Sequence, residues 1–305
     1  MDELKKKIGR DQLRYLLTGM AMGAADIVPG VSGGTIAFVA GIYEQLIKSV
    51  KTLTNDLPML VLKFKIVEAV KKVPWSFLVP LGIGILISLL SLSRIIEYLL
   101  HDQPVYTWAF FFGLILASIY SIGRQISVWN GKTMAAVVGG AILTYLIVGL
   151  VPVETPDTYL AFFLAGGIAI VAMILPGISG SFLLLIMGKY QQLLAAVNNM
   201  QIMKLLTFVV GAFVGLAVFS KLLNWLFEHY HLMTIAVLTG VMIGSLRKVW
   251  PWKETIEFVT DRHGEMIPVV QQNVLPKMSL ETVIAVVIAG VGVGVIVWIN
   301  RMGEK

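Results

Sequence analysis

The sequence predicts an all-α polytopic membrane protein built as two inverted-topology repeats, each a re-entrant helical hairpin followed by three transmembrane helices. Three observations predict it. Apolar residues make up 57% of the 305 positions and charged residues 14%, against roughly 45–50% and about 25% in soluble domains, so the solvent to reason about is lipid. Six apolar runs, at about 75–99, 105–123, 133–151, 204–227, 233–246 and 280–299, approach the ~20 residues needed to cross a bilayer. One turn also occurs twice, as PGVSGGT at 29–35 and PGISGSF at 176–182. Paired breaks in apolar sequence point to broken helices around a shared site.

Each element follows in order. The regions around the two turns, 15–49 and 158–197, are apolar runs interrupted by Pro, Gly and Ser. The pieces before the turns are short for ~30 Å of hydrocarbon at about 1.5 Å per residue, so re-entrant hairpins fit better than full spans. Irregular backbone at that depth is tolerated where it is buried in protein or lines a wet cavity. A constant offset of 147 pairs Gly19 with Gly166, Ile27 with Ile174, Gly41 with Gly188 and Tyr43 with Tyr190. Further on the offset falls to 127, pairing Ser93-Arg94 with Ser220-Lys221, Thr107 with Thr234 and Gly113 with Gly240. The first copy therefore holds extra residues, placed in a charged insertion at about 51–74. Repeat 1 covers about 15–151 and repeat 2 about 158–299, within one membrane transport domain spanning 1–305.

Three crossings lie between the two turns, an odd number, so the copies run in opposite directions through the membrane. Charge supports an inside N-terminus. In that orientation the inner segments carry fifteen basic residues, among them Arg10, Arg14, Lys48, Lys63, Arg124 and Arg301, and the outer ones seven. Five of the seven, Arg247, Lys248, Lys253, Arg262 and Lys277, lie in the long outer loop 247–278. Both termini are then cytoplasmic. No cleavable signal is evident at the charged start. The net charge of +6 reflects topology rather than nucleic-acid binding. With no cysteine, disulfides and thiolate chemistry are excluded. The four histidines fall in loops or at span ends and form no metal-ligand cluster.

Glycines and a serine after a proline free the backbone to turn and leave amides unpaired at the start of the next half-helix. Ser32, Gly33, Gly34 and Thr35 are expected to offer N–H groups and hydroxyls with the positive end of a helix dipole behind them, and Ser179, Gly180 and Ser181 to do so from the second turn. Such a site takes anions. Close helix crossing alone also explains a single PGxSG turn, but not its repetition. Arg94 and Lys221 hold matched positions inside spans, where a cation costs about 2.5–3.5 kcal/mol on insertion scales. They either snorkel or meet an anionic head group at opposite ends of its path. Asp26, three residues before Pro29, faces Met173 in the repeat. It is expected to couple protons or a cation, or to brace the loop amides, and both readings stand open. Glu44 reads as a surface residue, and Tyr43 and Tyr190 as interfacial anchors or head-group contacts.

The string GMAMGAADIVPGVSGGTIAFVAGIYEQLI, together with LPGISGSFLLLIMGKYQQLL, resembles the polyprenyl-phosphate transporter family over nearly the whole chain. The resemblance implies a protein of the bacterial cytoplasmic membrane that returns undecaprenyl phosphate from the outer to the inner leaflet for cell-wall synthesis. Its first motif carries over onto Asp26, Pro29, Gly30, Ser32, Gly33, Gly34 and Thr35. A weaker second form falls on Pro176, Gly177, Ser179, Gly180 and Ser181. No cofactor is implied, and coupling to H+ or Na+ is left open. The rival is a membrane enzyme resembling undecaprenyl pyrophosphate phosphatases, whose turn continues with an arginine where this chain has Gly33 and Gly180. A small-anion transporter or channel is the third reading.

Overall fold

The computed structural model describes residues 2–28, 30–150, 153, 155–260 and 266–303. Helix α1 (Asp2–Ile27) leads into the first Pro-Gly turn, after which the chain re-enters helix as α2 (Gly33–Val39) and α3 (Tyr43–Lys51). The charged insertion is helical: a π turn (Thr52–Asp56), α4 (Leu57–Leu62) and α5 (Ile66–Lys72). Asn55 ties it to the body by donating to the Ala217 carbonyl at 3.1 Å. Helices α6 (Trp75–Asp102), α7 (Pro104–Gly123) and α8 (Gly131–Val148) follow. The second half repeats the order with α9 (Tyr159–Ile174), α10 (Gly180–Ile186), α11 (Lys189–Asn198), α12 (Ile202–Val249) and α13 (Leu280–Gly303). Between α12 and α13 stands an antiparallel hairpin of β1 (Lys253–Thr260) and β2 (Met266–Asn273), a departure from the all-α expectation.

Five of these helices are long and apolar enough to cross a membrane, and α10 with α11, bent by 101°, form a broken span or a re-entrant loop. Two of the six expected spans lie in α12. At about 1.5 Å per residue its 48 residues far exceed a ~30 Å hydrocarbon core. Tyr230 breaks it with non-helical backbone, φ −134° and ψ 42°. Gln103, between α6 and α7 and 127 positions earlier, has φ −134° and ψ 52°. The difference is Pro104, which has no amide hydrogen to carry the helical ladder across the bend.

Small residues set how the helices pack, because a missing side chain lets two backbones approach in a setting where lipid is as apolar as leucine. Gly19 of α1 lies against the Leu81 carbonyl of α6, and Gly166 of α9 against the Phe208 carbonyl of α12. These contacts are related by the offsets of 147 and 127 read from the sequence. Across the halves, Gly113 of α7 lies on the Ala289 carbonyl of α13, and Gly240 of α12 on the Val137 carbonyl of α8. A Cβ at any of the four would strike backbone. The second span of each half thus packs on the third span of the other, and the third spans correspond at an offset of 152, Val137 to Ala289. Large apolar side chains such as Leu90, Ile142, Val209 and Val287 face outward, while Ile36, Phe77, Ile115, Ile235 and Met242 fill the centre. That outward apolar belt is what a lipid solvent selects.

Candidate functional site

The two Pro-Gly turns meet each other inside the bundle. Gly30 and Gly177, matched in the repeat, both have φ +90°, a backbone conformation that side chains with a Cβ rarely adopt. Pro29 lies outside the described residues; Pro176 is buried. Among the described residues, three hydrogen bonds join the turn regions. Ser32 Oγ donates to the Met173 carbonyl at 2.9 Å, the Gly177 amide donates to Thr35 Oγ1 at 2.9 Å, and Tyr43 Oη donates to the Ile174 carbonyl at 3.1 Å. Ser32 and Thr35 are about as buried as residues become, at 1% and 0% exposure.

The first turn is also satisfied from within. Asp26 Oδ1 accepts the Gly33 amide at 2.7 Å, and Ser32 Oγ accepts the Gly34 amide at 3.1 Å as the N-cap of α2. This corrects the expectation that Gly33 and Gly34 present free amides to an anion, because the turn's own side chains use them. Of the two readings of Asp26, the contact is that of a brace. The second turn differs. Met173 replaces the carboxylate, Ser179 makes no capping bond to α10, and its Oγ lies 2.8 Å from that of Ser181, which is exposed. Gly180 is buried against Ala169 and Met173, as Gly33 is against Met22 and Asp26.

Tyr43 and Tyr190 part company. Tyr43 is 2% exposed and packs on Phe38 and Phe227, so it is a clamp on the second turn rather than an interfacial anchor, whereas Tyr190 is 40% exposed. Glu44 is a surface residue paired with His231 at 2.8 Å. Arg94 and Lys221 are both exposed on the outside of α6 and α12, and neither forms an ion pair or side-chain hydrogen bond with a described residue. The fold does not bring them to the turns. Among the described residues, no cluster of His, Asp and Glu could hold a metal ion.

Two cavities flank the turns. One, of about 460 Å³, lies between α8, α10, the end of α12 and the β-hairpin, and holds Arg247, Lys248 and Lys253. The Lys248 stem runs against Gly30 of the first turn while its ammonium sits 4.3 Å from the Phe182 ring of α10, so this one side chain touches both turn regions. Lys253 donates to the Lys248 carbonyl at 2.6 Å and lies 3.7 Å from the Trp108 ring. Burial, with the Lys248 charge beside it, holds the Lys253 ammonium well below the usual lysine range. The other cavity, of about 1020 Å³, lies between the end of α2, α7 and α13, and holds Arg14, Arg124 and Arg301. Among the described residues, no carboxylate lines either cavity. In the sequence these six cations register only as topology charges. Alignment of the copies gives no signal, since Arg247 matches Tyr120 and Lys248 matches Ser121.

The fold and its centre define a polytopic helical membrane protein with two interlocked Pro-Gly turns. The chain belongs to the family described as VCA0040-like, undecaprenyl phosphate translocase-like, whose model matches residues 22–267. A protein named polyprenyl-phosphate transporter from Vibrio cholerae serotype O1 is 40% identical over 301 residues, covering 96% of this chain and 97% of that protein. One of the same name from Staphylococcus aureus is 34% identical over 260 residues, covering 77% and 85%. No solved structure matches the chain.

Proposed function

We propose that this protein moves a polyprenyl phosphate, undecaprenyl phosphate in particular, from the outer to the inner leaflet of the bacterial cytoplasmic membrane, by alternating access around the paired turns. The observation that carries the reading is the interlocking of two turns at matched repeat positions, in a chain whose relatives are named for that lipid. Helix contacts that recur at fixed offsets support two copies, and the odd number of crossings between the turns supports their inversion. An ionised head group cannot cross hydrocarbon unaided, because burying it unpaired is prohibitive. A protein path that replaces its water removes that cost, while the prenyl tail stays in lipid. Hydrolysis is disfavoured by the residues themselves: neither turn has an arginine after its serine, and Asp26 is engaged with the Gly33 amide.

The test is leaflet-resolved movement of undecaprenyl phosphate in proteoliposomes, with and without a pH or Na+ gradient, alongside release of phosphate from a lipid pyrophosphate. Protein-dependent movement without phosphate release is expected. No movement under any gradient overturns the transporter reading, and phosphate release moves the chain to the enzymes.

A further inference from the structure

The two cavities are one site drawn twice. Under the offset of 127, Arg247 and Lys248 of the first cavity fall on Tyr120 and Ser121 of the second. Under 152, Tyr145 and Val148 of α8 fall on Val297 and Asn300 of α13, and under 147, Ile186 of α10 falls on Val39 of α2. All of these residues line their own cavity. The repeat therefore builds the same recess in each half, and each is furnished with three cations drawn from different positions. Arg247 and Lys248 end α12 and Lys253 opens β1, whereas Arg124 follows α7 and Arg301 ends α13, so in an inverted pair the recesses open to opposite faces.

Three basic side chains sharing one recess repel each other's charge and lose hydration, and an anion among them offsets both costs. A phosphate monoester suits the recess, since it carries two charges and several acceptors. The walls also supply apolar surface, Val148, Leu185 and Ile186 on one side and Leu116, Val293 and Ile296 on the other, against which the first carbons of a prenyl chain can lie. Lys248 gives the first recess a direct line to the turns through Gly30 and Phe182.

Resting on the transport reading above, we infer that the two recesses are the docking stations for the phosphate monoester head group, Arg247, Lys248 and Lys253 on one face of the membrane and Arg14, Arg124 and Arg301 on the other. The interlocked turns are then the barrier between the stations. The head group leaves one cation set and is received by the other as the turns part.

The experiment uses the full chain in proteoliposomes and four variants: Lys248→Gln with Lys253→Gln, its Arg counterpart, Arg124→Gln with Arg301→Gln, and Lys63→Gln as the control. Arg124 and Arg301 are exposed, so their replacement spares the fold, and Lys248→Arg with Lys253→Arg keeps the charge at the first station as a rescue. Each Gln pair is expected to slow lipid movement at least tenfold, and the Arg pair to restore most of it. A membrane-impermeant soluble phosphate monoester should inhibit the native protein from either side, and each Gln pair should lose inhibition from its own side alone. Native-rate movement in both Gln pairs overturns the inference while leaving the transport reading intact. Absence of movement in the native protein defeats that reading and the inference with it. Inorganic phosphate that binds as tightly as a short-chain prenyl phosphate, with no competition between them, assigns the recesses to the free anion and overturns the lipid stations.

Discussion

The first turn is locked by its own side chains and the second is not. Asp26 and Ser32 occupy the amides of Gly33 and Gly34, and Ser32, Thr35 and Tyr43 all reach across to the second turn. At the matched positions the second turn has Met173, a serine that caps nothing, and an exposed Tyr190. One sequence motif thus yields a fixed strut and a partner that depends on it. On the proposed mechanism, in which the two turns part, one of them has to hold shape while the other moves, and these bonds mark the first turn as the one that holds.

The largest test of this asymmetry is at the two glycines of positive φ. Gly177→Ala should cost about 3 kcal/mol, because a Cβ there adds a clash with Ser245 and the Met242 backbone to the strained φ. Gly30→Ala should cost roughly half as much, since its Cβ meets the movable Lys248 stem. Equal losses in thermal unfolding in detergent would contradict the difference. Next, Ser32→Ala removes both a helix cap and a bond to the second turn, for about 2 kcal/mol, against less than ~0.5 kcal/mol for Ser179→Ala. A larger loss at Ser179 would reverse the assignment of strut and follower.

Asp26 sharpens the same comparison. Asp26→Ala strands the buried Gly33 amide and should cost about 1–3 kcal/mol, whereas Asp26→Asn keeps an acceptor in place and should fall below ~1 kcal/mol. If Asp26→Asn melts normally but transports at under a tenth of the native rate, the carboxylate's charge has a coupling role beyond bracing. The smallest effect is at the tyrosines: Tyr43→Phe should lose about 1 kcal/mol and Tyr190→Phe nothing measurable. A measurable loss at Tyr190 would restore the pairing of the two residues.

Much of this architecture is legible in the chain because lipid imposes a simple code. Apolar runs mark the crossings, and the long α12 holds two of them on either side of Tyr230. The glycines recorded the helix contacts, since Gly19 with Gly166 and Gly113 with Gly240 are both matched pairs and close packers. The β-hairpin is not legible because its charged residues, Lys253, Glu254 and Glu257, hide a short alternating strand. The cations of the cavities were hidden for another reason: Arg14, Arg124 and Arg301 come together only through packing of α1, α7 and α13, and they sit at unmatched positions of the repeat. Arg94 and Lys221 show the opposite relation. Their matched positions reflect matched places on the outside of the bundle.

The crossing of α7 with α13 and of α8 with α12 also dictates an order of events during synthesis. Helix α8 ends at Val148 and its partner stretch of α12 ends at Val249, a gap of about 100 residues. At ribosomal rates of about 5–20 residues per second, α8 waits on the order of 5–20 s in the membrane before its glycine-lined face is covered, and α7 waits longer for α13. Neither half can complete its own packing, so a chain cut between them should yield fragments that accumulate only when both are made in the same cell.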